Sequence, residues 1–316
     1  MRLFGRGASA AVSVEPQQLL PGGELIATVT IPDAFDKVAT ATAVLGYENT
    51  YAYRWAGRAD AAATSATTSL ATIGDVGTDY GSERVTSDWV AVIATELPLA
   101  GDTLEAGTHE LAFRVPSWAP GSSEQLAAWA VRLSVDRKGR DVGADGPFTV
   151  LAPPPADPPP AEQERVLGAS TDIDIRLDRP CWRAGETITG TVAITARETL
   201  PEADVAVVLE FDRLSHPLER TPAQCVTFDR GRVQLDKHLA LPPNAATELP
   251  FEIALPADAP PSAEGVHSTL CWYVLVRILY KGLIAPMPER VRRGFVVYNA
   301  PAGGPIADAS APNASA

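Results

Sequence analysis

Residue types that carry chemistry are scarce in this chain. Four histidines and three cysteines are spread over 316 residues. No Cys-x-x-Cys, His-x-His or His-Glu-x-x-His spacing occurs, which removes the usual zinc frameworks. A phosphate-cradling glycine loop, a nucleophile elbow and a dinucleotide fingerprint are also missing. All three cysteines, Cys181, Cys225 and Cys271, fall in the second half, so the first half can hold no disulfide. An odd, scattered set reads as buried thiols in a reducing compartment rather than as a secreted scaffold. No run reaches the roughly 18 apolar residues of a membrane helix, and no apolar stretch of signal-peptide length precedes Glu15. A cytoplasmic protein without an integral membrane segment is expected. Positive charge is short as well: 26 Lys and Arg against 39 Asp and Glu leave a net charge of −13, which opposes nucleic-acid binding.

What is present is a sequence that repeats itself. Pro21-Gly22-Gly23-Glu24, leading into Leu25 to Ile31, returns as Arg183-Ala184-Gly185-Glu186, leading into Thr187 to Ile194. Glu110 to Pro116 returns as Glu248 to Pro256, each followed by further Pro, Ser and Glu. The pattern inside the repeats has period two: Ile188, Gly190, Val192 and Ile194 share one face, and Thr187, Thr189 and Thr191 the other, as in a half-buried strand. Leu270 to Tyr280 is apolar on both faces and rich in β-branched and aromatic residues, which favours a central strand over a helix. Strands are also expected at Ala11–Val14, Val38–Tyr47, Val85–Leu97, Leu126–Val135, Asp172–Leu177, Val205–Phe211 and Val291–Tyr298. At about seven strands per half, separated by Pro, Gly and Asp turns, the fold class is all-β: two tandem immunoglobulin-like antiparallel sandwiches.

The expected organisation is a first sandwich over 1–151, a proline-rich linker over 152–166, a second sandwich over 167–299 and a disordered tail over 300–316. The run from Ala152 to Ala161 suits an extended polyproline spacer. The two repeats are out of step. Glu24 to Glu110 spans 86 positions and Glu186 to Glu248 spans 62, and an inserted loop over 56–84, poor in apolar residues, accounts for the excess.

Three stretches of the second half, Leu177 to Val192, Leu249 to Pro256 and Ala259 to Gly265, resemble the amino-terminal module of the arrestin-like proteins. The shared pattern is a Gly-Glu strand followed by Pro-Phe-x-hydrophobic-x-hydrophobic-Pro and Pro-Pro-Ser, carried here by Gly185, Glu186, Gly190, Pro250, Phe251, Pro256, Pro261 and Ser262. The first half resembles the same pattern more faintly and lacks the glycine equivalent to Gly190. In style the chain is similar to the bacterial sporulation-control members of that family. The resemblance implies an adaptor or scaffold without chemistry. Phosphate sensing does not carry over, because the first strand, Ala11-Val12-Ser13-Val14-Glu15, has no basic residue.

Candidate sites are few. Cys225 with His216 or His238 is the one conceivable nucleophile and base pair, while Cys271 beside Trp272 reads as an inert core thiol. No catalytic residue, metal ligand or cofactor is assigned. Arg290 and Arg292 alternate with Val291 and share a strand face near Arg277 and Lys281. This cluster suits an acidic peptide or a phosphate, or else a charged edge that blocks aggregation. The reading is a cytoplasmic, non-enzymatic adaptor that binds another protein. A carbohydrate- or surface-binding sandwich is the alternative, followed by a hydrolase.

Overall fold

In the computed structural model, the described residues are 9–54, 83–216, 225–282 and 285–301, and every regular element among them is a strand. Two compact units form. The first holds residues 9–49, 87–153 and 300–301, and the second holds 50–54, 83–86, 154–216, 225–282 and 285–299. Residues 50–54 and 83–86, placed by sequence in the first sandwich, therefore group with the second.

The first unit holds β1 (Ala11–Glu15), β2 (Gln18–Leu19), β3 (Glu24–Ile31), most of β4 (Val38–Arg54) and of β5 (Glu83–Glu96), β6 (Gly107–Arg114), β7 (Ala127–Arg137), β8 (Val142–Pro147) and β9 (Thr149–Val150). One sheet runs β1-β3-β6, the other β5-β4-β7-β8, and β2 pairs with β9 in parallel. The second unit holds β10 (Gln163–Leu167), β11 (Thr171–Leu177), β12 (Cys181–Arg183), β13 (Thr187–Ala196), β14 (Ala203–Ser215), β15 (Val226–Leu239), β16 (Ala246–Ala254), β17 (Ala263–Glu264), β18 (Ser268–Tyr280) and β19 (Glu289–Tyr298). Its sheets run β11-β13-β16 and β10-β19-β18-β14-β15, with β12 alongside β19 in parallel. Strands outnumber the expected seven per unit, and β18 is central, between β14 and β19.

Alternation places the core. Leu25, Ala27, Val29 and Ile31 of β3 are buried, as are Ile188, Val192 and Ile194 of β13. Each unit closes on a tryptophan. Trp129 packs at a tilt, 4.7 Å between ring centroids, on Tyr47, its cross-strand partner, and donates its indole N–H to the Pro120 carbonyl at 2.9 Å. Trp272 lies 4.9 Å from Phe211, its own cross-strand partner, and donates to the Pro260 carbonyl at 2.8 Å. A buried indole satisfied in this way contributes its full apolar area without an orphaned donor.

Hydrogen bonding also fixes how the repeats correspond. Gly22 and Gly185 both take positive φ, +83° and +87°. Val115 donates to the Gly23 carbonyl, and Leu255 to the Glu186 carbonyl, each at 2.9 Å. Gly23 thus stands where Glu186 does, one residue off the pairing of Gly23 with Gly185 that the sequence suggests. Ser122 and Val150 exchange two hydrogen bonds, at 2.8 Å each, and Ser262 and Val297 do the same at 2.8 and 3.0 Å.

Two expectations shift. The linker assigned to 152–166 ends early, because residues 163–167 form β10 against β19. The loop assigned to 56–84 lies outside the described residues except for 83–84, which open β5, and the tail from 302 onward lies outside them too.

Candidate functional site: a groove on the outer face of the second sheet

Because Trp272, Val274 and Val276 point into the core, Cys271, Tyr273, Leu275 and Arg277 of β18 face outward. Asp212 on β14 is opposite Cys271, and Arg292 on β19 is opposite Leu275, so the same outer face gathers an acid and a base from strands on either side of β18. Arg292 bridges the gap. Its guanidinium lies 4.1 Å from the Tyr273 ring centroid, donates to Asp212 at 2.7 Å and reaches Glu164 of β10 at 2.8 Å. Asp212 is 0% exposed and accepts a further hydrogen bond from the Thr227 hydroxyl at 2.7 Å. Partial burial works against the charge on Arg292, but the hydrogen bonds to Glu164 and Asp212 outweigh it and hold the guanidinium above its ordinary range.

Two of the other cations of the expected binding cluster have carboxylates beside them. Lys281 sits 3.3 Å from Asp204, and Arg290 lies 3.9 Å from Glu210. Arg277 is opposite Arg290 in the β18–β19 register. Burial pushes the Glu210 carboxyl above the usual range, partly offset by Arg290. The structure brings Arg277, Arg290 and Arg292 onto one face, but at Arg292 the charge is directed into the protein.

The β10 strand is held by its side chains as well as by its backbone. Gln163 donates to the Ile173 carbonyl at 2.7 Å and accepts from the Ile175 amide at 2.8 Å, occupying backbone groups of β11 that a further strand would otherwise take. Arg165 donates to the Thr171 carbonyl at 2.8 Å and pairs with the fully buried Glu289 at 2.7 Å.

The segment that leads into β10 lines this face as well. Pro159 and Pro160, together with Cys271, Tyr273, Gly294 and Val296, line a groove of about 740 Å³. Gly294 leaves the floor open, since a Cβ there would meet nothing closer than 3.8 Å. The volume is that of a ligand cleft. The thiols on and near this face are not activated. Cys271 is half-buried on the outer face, not in the core, and burial raises its pKa. Cys225 is exposed rather than buried, yet partial desolvation of its thiol, with the Asp212 charge, pushes it up to about 11. Its Sγ lies 3.7 Å from the Thr227 hydroxyl, while His216 bonds Thr269 and His238 bonds Glu202, so neither histidine is placed as its base. Among the described residues, no group of three or more His, Cys, Asp and Glu could hold a metal ion. No helix there is long and apolar enough to cross a membrane.

The motif residues have structural roles. Glu186 accepts from the Arg183 amide at 2.9 Å and from Arg179 at 3.0 Å, closing the turn that Gly185 opens. Gly190 is opposite Phe251, and a Cβ on it would lie 2.9 Å from that ring and 2.3 Å from the Arg176 carbonyl. Pro250 is in β16, an edge strand, where a missing donor is tolerated. Pro256 accepts from the amides of Gly185 and Ala259, each at 3.1 Å, and Pro261 is buried. Asp212, Glu164 and the groove-lining role of Pro159 and Pro160 were not picked out in the sequence. The signal was there for Asp212, an acid inside the apolar run Val205 to Phe211 and its continuation.

Residues 166–276 match the family model of Spo0M, described as SpoOM protein. The matched span contains β11 to β17, most of β18, Asp212 and the floor residues Cys271 and Tyr273, and it stops short of Arg292 and Gly294. Among solved structures, that of Spo0M, sporulation control protein, from Bacillus subtilis is 16% identical with a TM-score of 0.34, over 42% of this chain and half of that one. No curated protein matches the chain.

Proposed function

We propose that this protein is a non-enzymatic adaptor that holds an extended segment of another protein in the groove lined by Pro159 and Pro160. The observation that carries the reading is the groove itself, a cleft of about 740 Å³ beside an edge strand whose five residues are all exposed. Sheet edges offer a ready backbone for an added segment, and pockets beside them select its side chains. The raised thiols and the neutralised Arg292 suit binding rather than bond-breaking. The match of residues 166–276 to the Spo0M family supports a regulatory role, since the Bacillus subtilis member is called a sporulation control protein. The adaptor reading places the work in the cytoplasm, where free thiols persist.

The test is a capture experiment from the native cytoplasm with wild type and Gly294→Trp. The tryptophan adds its bulk at the groove residue Gly294, beside Tyr273. A partner retained by wild type and lost with the variant is the expected result. An unchanged set of captured proteins overturns the groove as the binding surface.

A further inference from the structure

The first unit has few cations, and most of them gather at one hairpin. Its described Lys and Arg residues are Lys37, Arg114, Arg132, Arg137, Lys138 and Arg140. Arg132 is paired with Glu48 and Asp145, and Arg114 donates to the Gly22 carbonyl. The other four meet at the turn between β7 and β8, where the Lys138 amide donates to the Lys37 carbonyl at 3.0 Å. Among the described residues none of these four forms an ion pair. Asp141 stands in the same turn, with its carboxylate 3.5 Å from the Arg137 amide.

Arg137 is the unusual member. Its guanidinium carbon lies 5.5 Å from the Phe35 ring centroid, and its Nε is buried without a hydrogen-bond partner among the described residues. A buried donor left unpaired keeps its cost of desolvation, and native structures seldom retain one. The second unit shows what the matching place holds. Counted from Trp129 and Trp272, Val135 matches Ile278 and Arg137 matches Tyr280. Val135 is opposite Val142 and Ile278 is opposite Glu289, so Val142 takes the position of Glu289. In the second unit that position supplies a carboxylate with no solvent exposure, which accepts from the Tyr280 hydroxyl and pairs with Arg165 at 2.7 Å. The first unit keeps a donor on β7 and has an apolar residue where the carboxylate would be. Beside them is a cleft of about 550 Å³, lined by Arg137, Lys138, Arg140, Asp141 and Val142 among others. That volume is ample for a small ligand.

We infer that this cleft binds a carboxylate group from outside the chain, which Arg137 grips while Lys138 and Arg140 add charge. The arginine fork matches a carboxylate through two parallel hydrogen bonds, and the charge on both partners strengthens them. A carboxylate rather than a phosphate is the class indicated, because a carboxylate is what the second unit supplies at the matching position. A free dicarboxylate and the glutamate side chain of a partner present the same group. The site lies in the first unit alone and is independent of the groove.

Isothermal titration calorimetry on the full chain at low salt tests the site, with succinate, a short capped polyglutamate peptide and inorganic phosphate as separate probes. Wild type is expected to bind one equivalent of a carboxylate probe. Binding of succinate assigns a small free carboxylate, and binding of the peptide alone assigns the acidic segment of a partner. Arg137→Lys keeps the charge and loses the fork, and should weaken binding by about tenfold or more with an unchanged near-ultraviolet circular dichroism spectrum. Val142→Glu puts a carboxylate at the position Glu289 holds in the second unit, and should abolish binding by filling the site from within. Wild type that binds neither carboxylate probe overturns the inference. Phosphate bound as tightly as the carboxylates, or an Arg137→Lys variant that binds like wild type, overturns it as well, since either shows general attraction to anions.

Discussion

Arg292 passes over the ring of Tyr273 to place a guanidinium nitrogen 2.7 Å from the carboxylate of Asp212, which has no solvent exposure. Removing one member of such a pair strands the other, because a buried charge without its partner keeps the full cost of desolvation. Arg292→Leu is expected to lose about 3–5 kcal/mol in urea unfolding, whereas Asp212→Leu combined with Arg292→Leu should lose much less. Equal losses in single and double variants would show that the pair is not coupled.

Gly190 tests the packing of the second unit's smaller sheet. A Cβ there meets the Arg176 carbonyl at 2.3 Å, so Gly190→Ala should cost about 1–3 kcal/mol by overpacking. The first unit shows the compensated solution, Ala27 opposite the smaller Leu111 where the second has Gly190 opposite Phe251. Adding Phe251→Leu to Gly190→Ala should therefore cost less than the two single changes summed, a non-additivity that a double-mutant cycle measures.

Much of this frame was legible in the sequence, because a half-buried strand writes its two faces as alternation and a turn writes its positive φ as glycine. Strand β13 and the turn at Gly185 were visible this way, while β18, apolar on both faces, was marked by its β-branched and aromatic content. The strands that escaped have no such signature. The β8 sequence Val-Gly-Ala-Asp-Gly-Pro has low strand propensity and is ordered by pairing with β7, with Gly146 accommodating the close approach of Val12 and Val14. All five β10 side chains are exposed, so no apolar face marked it, and the prolines before it read as linker. The site was harder still. Asp212 is visible as an acid in an apolar strand, but its partner is 80 positions away, and only the sheet order brings β19 within reach.

The thiol of Cys225 should behave unlike that of an ordinary exposed cysteine. With its pKa pushed up to about 11, alkylation by iodoacetamide should be slow near neutrality and keep accelerating with pH toward that value. A rate that levels off near the free-thiol value of about 8.5 would contradict the desolvation and the Asp212 field assigned to it.

Glu210 gives stability a pH dependence of known sign. Burial raises its folded-state pKa, so the folded chain keeps this proton to higher pH than the unfolded chain does. Its contribution favours folding in acid and is lost as pH rises from the ordinary carboxylate range through the raised value. Relative to wild type, Glu210→Gln should thus be more stable at neutral pH than in mild acid. Paired unfolding curves at the two pH values would show it, and a difference of the opposite sign would refute the assignment.

The central claim is that another protein's segment occupies the groove lined by Pro159 and Pro160. Amide hydrogen exchange on the captured complex, compared with the free chain, tests it most directly. The account predicts new protection concentrated in residues 161–165, 271–273 and 294–296, with the β11-β13-β16 sheet unchanged. Protection that appears elsewhere while those three stretches exchange as in the free chain would contradict it.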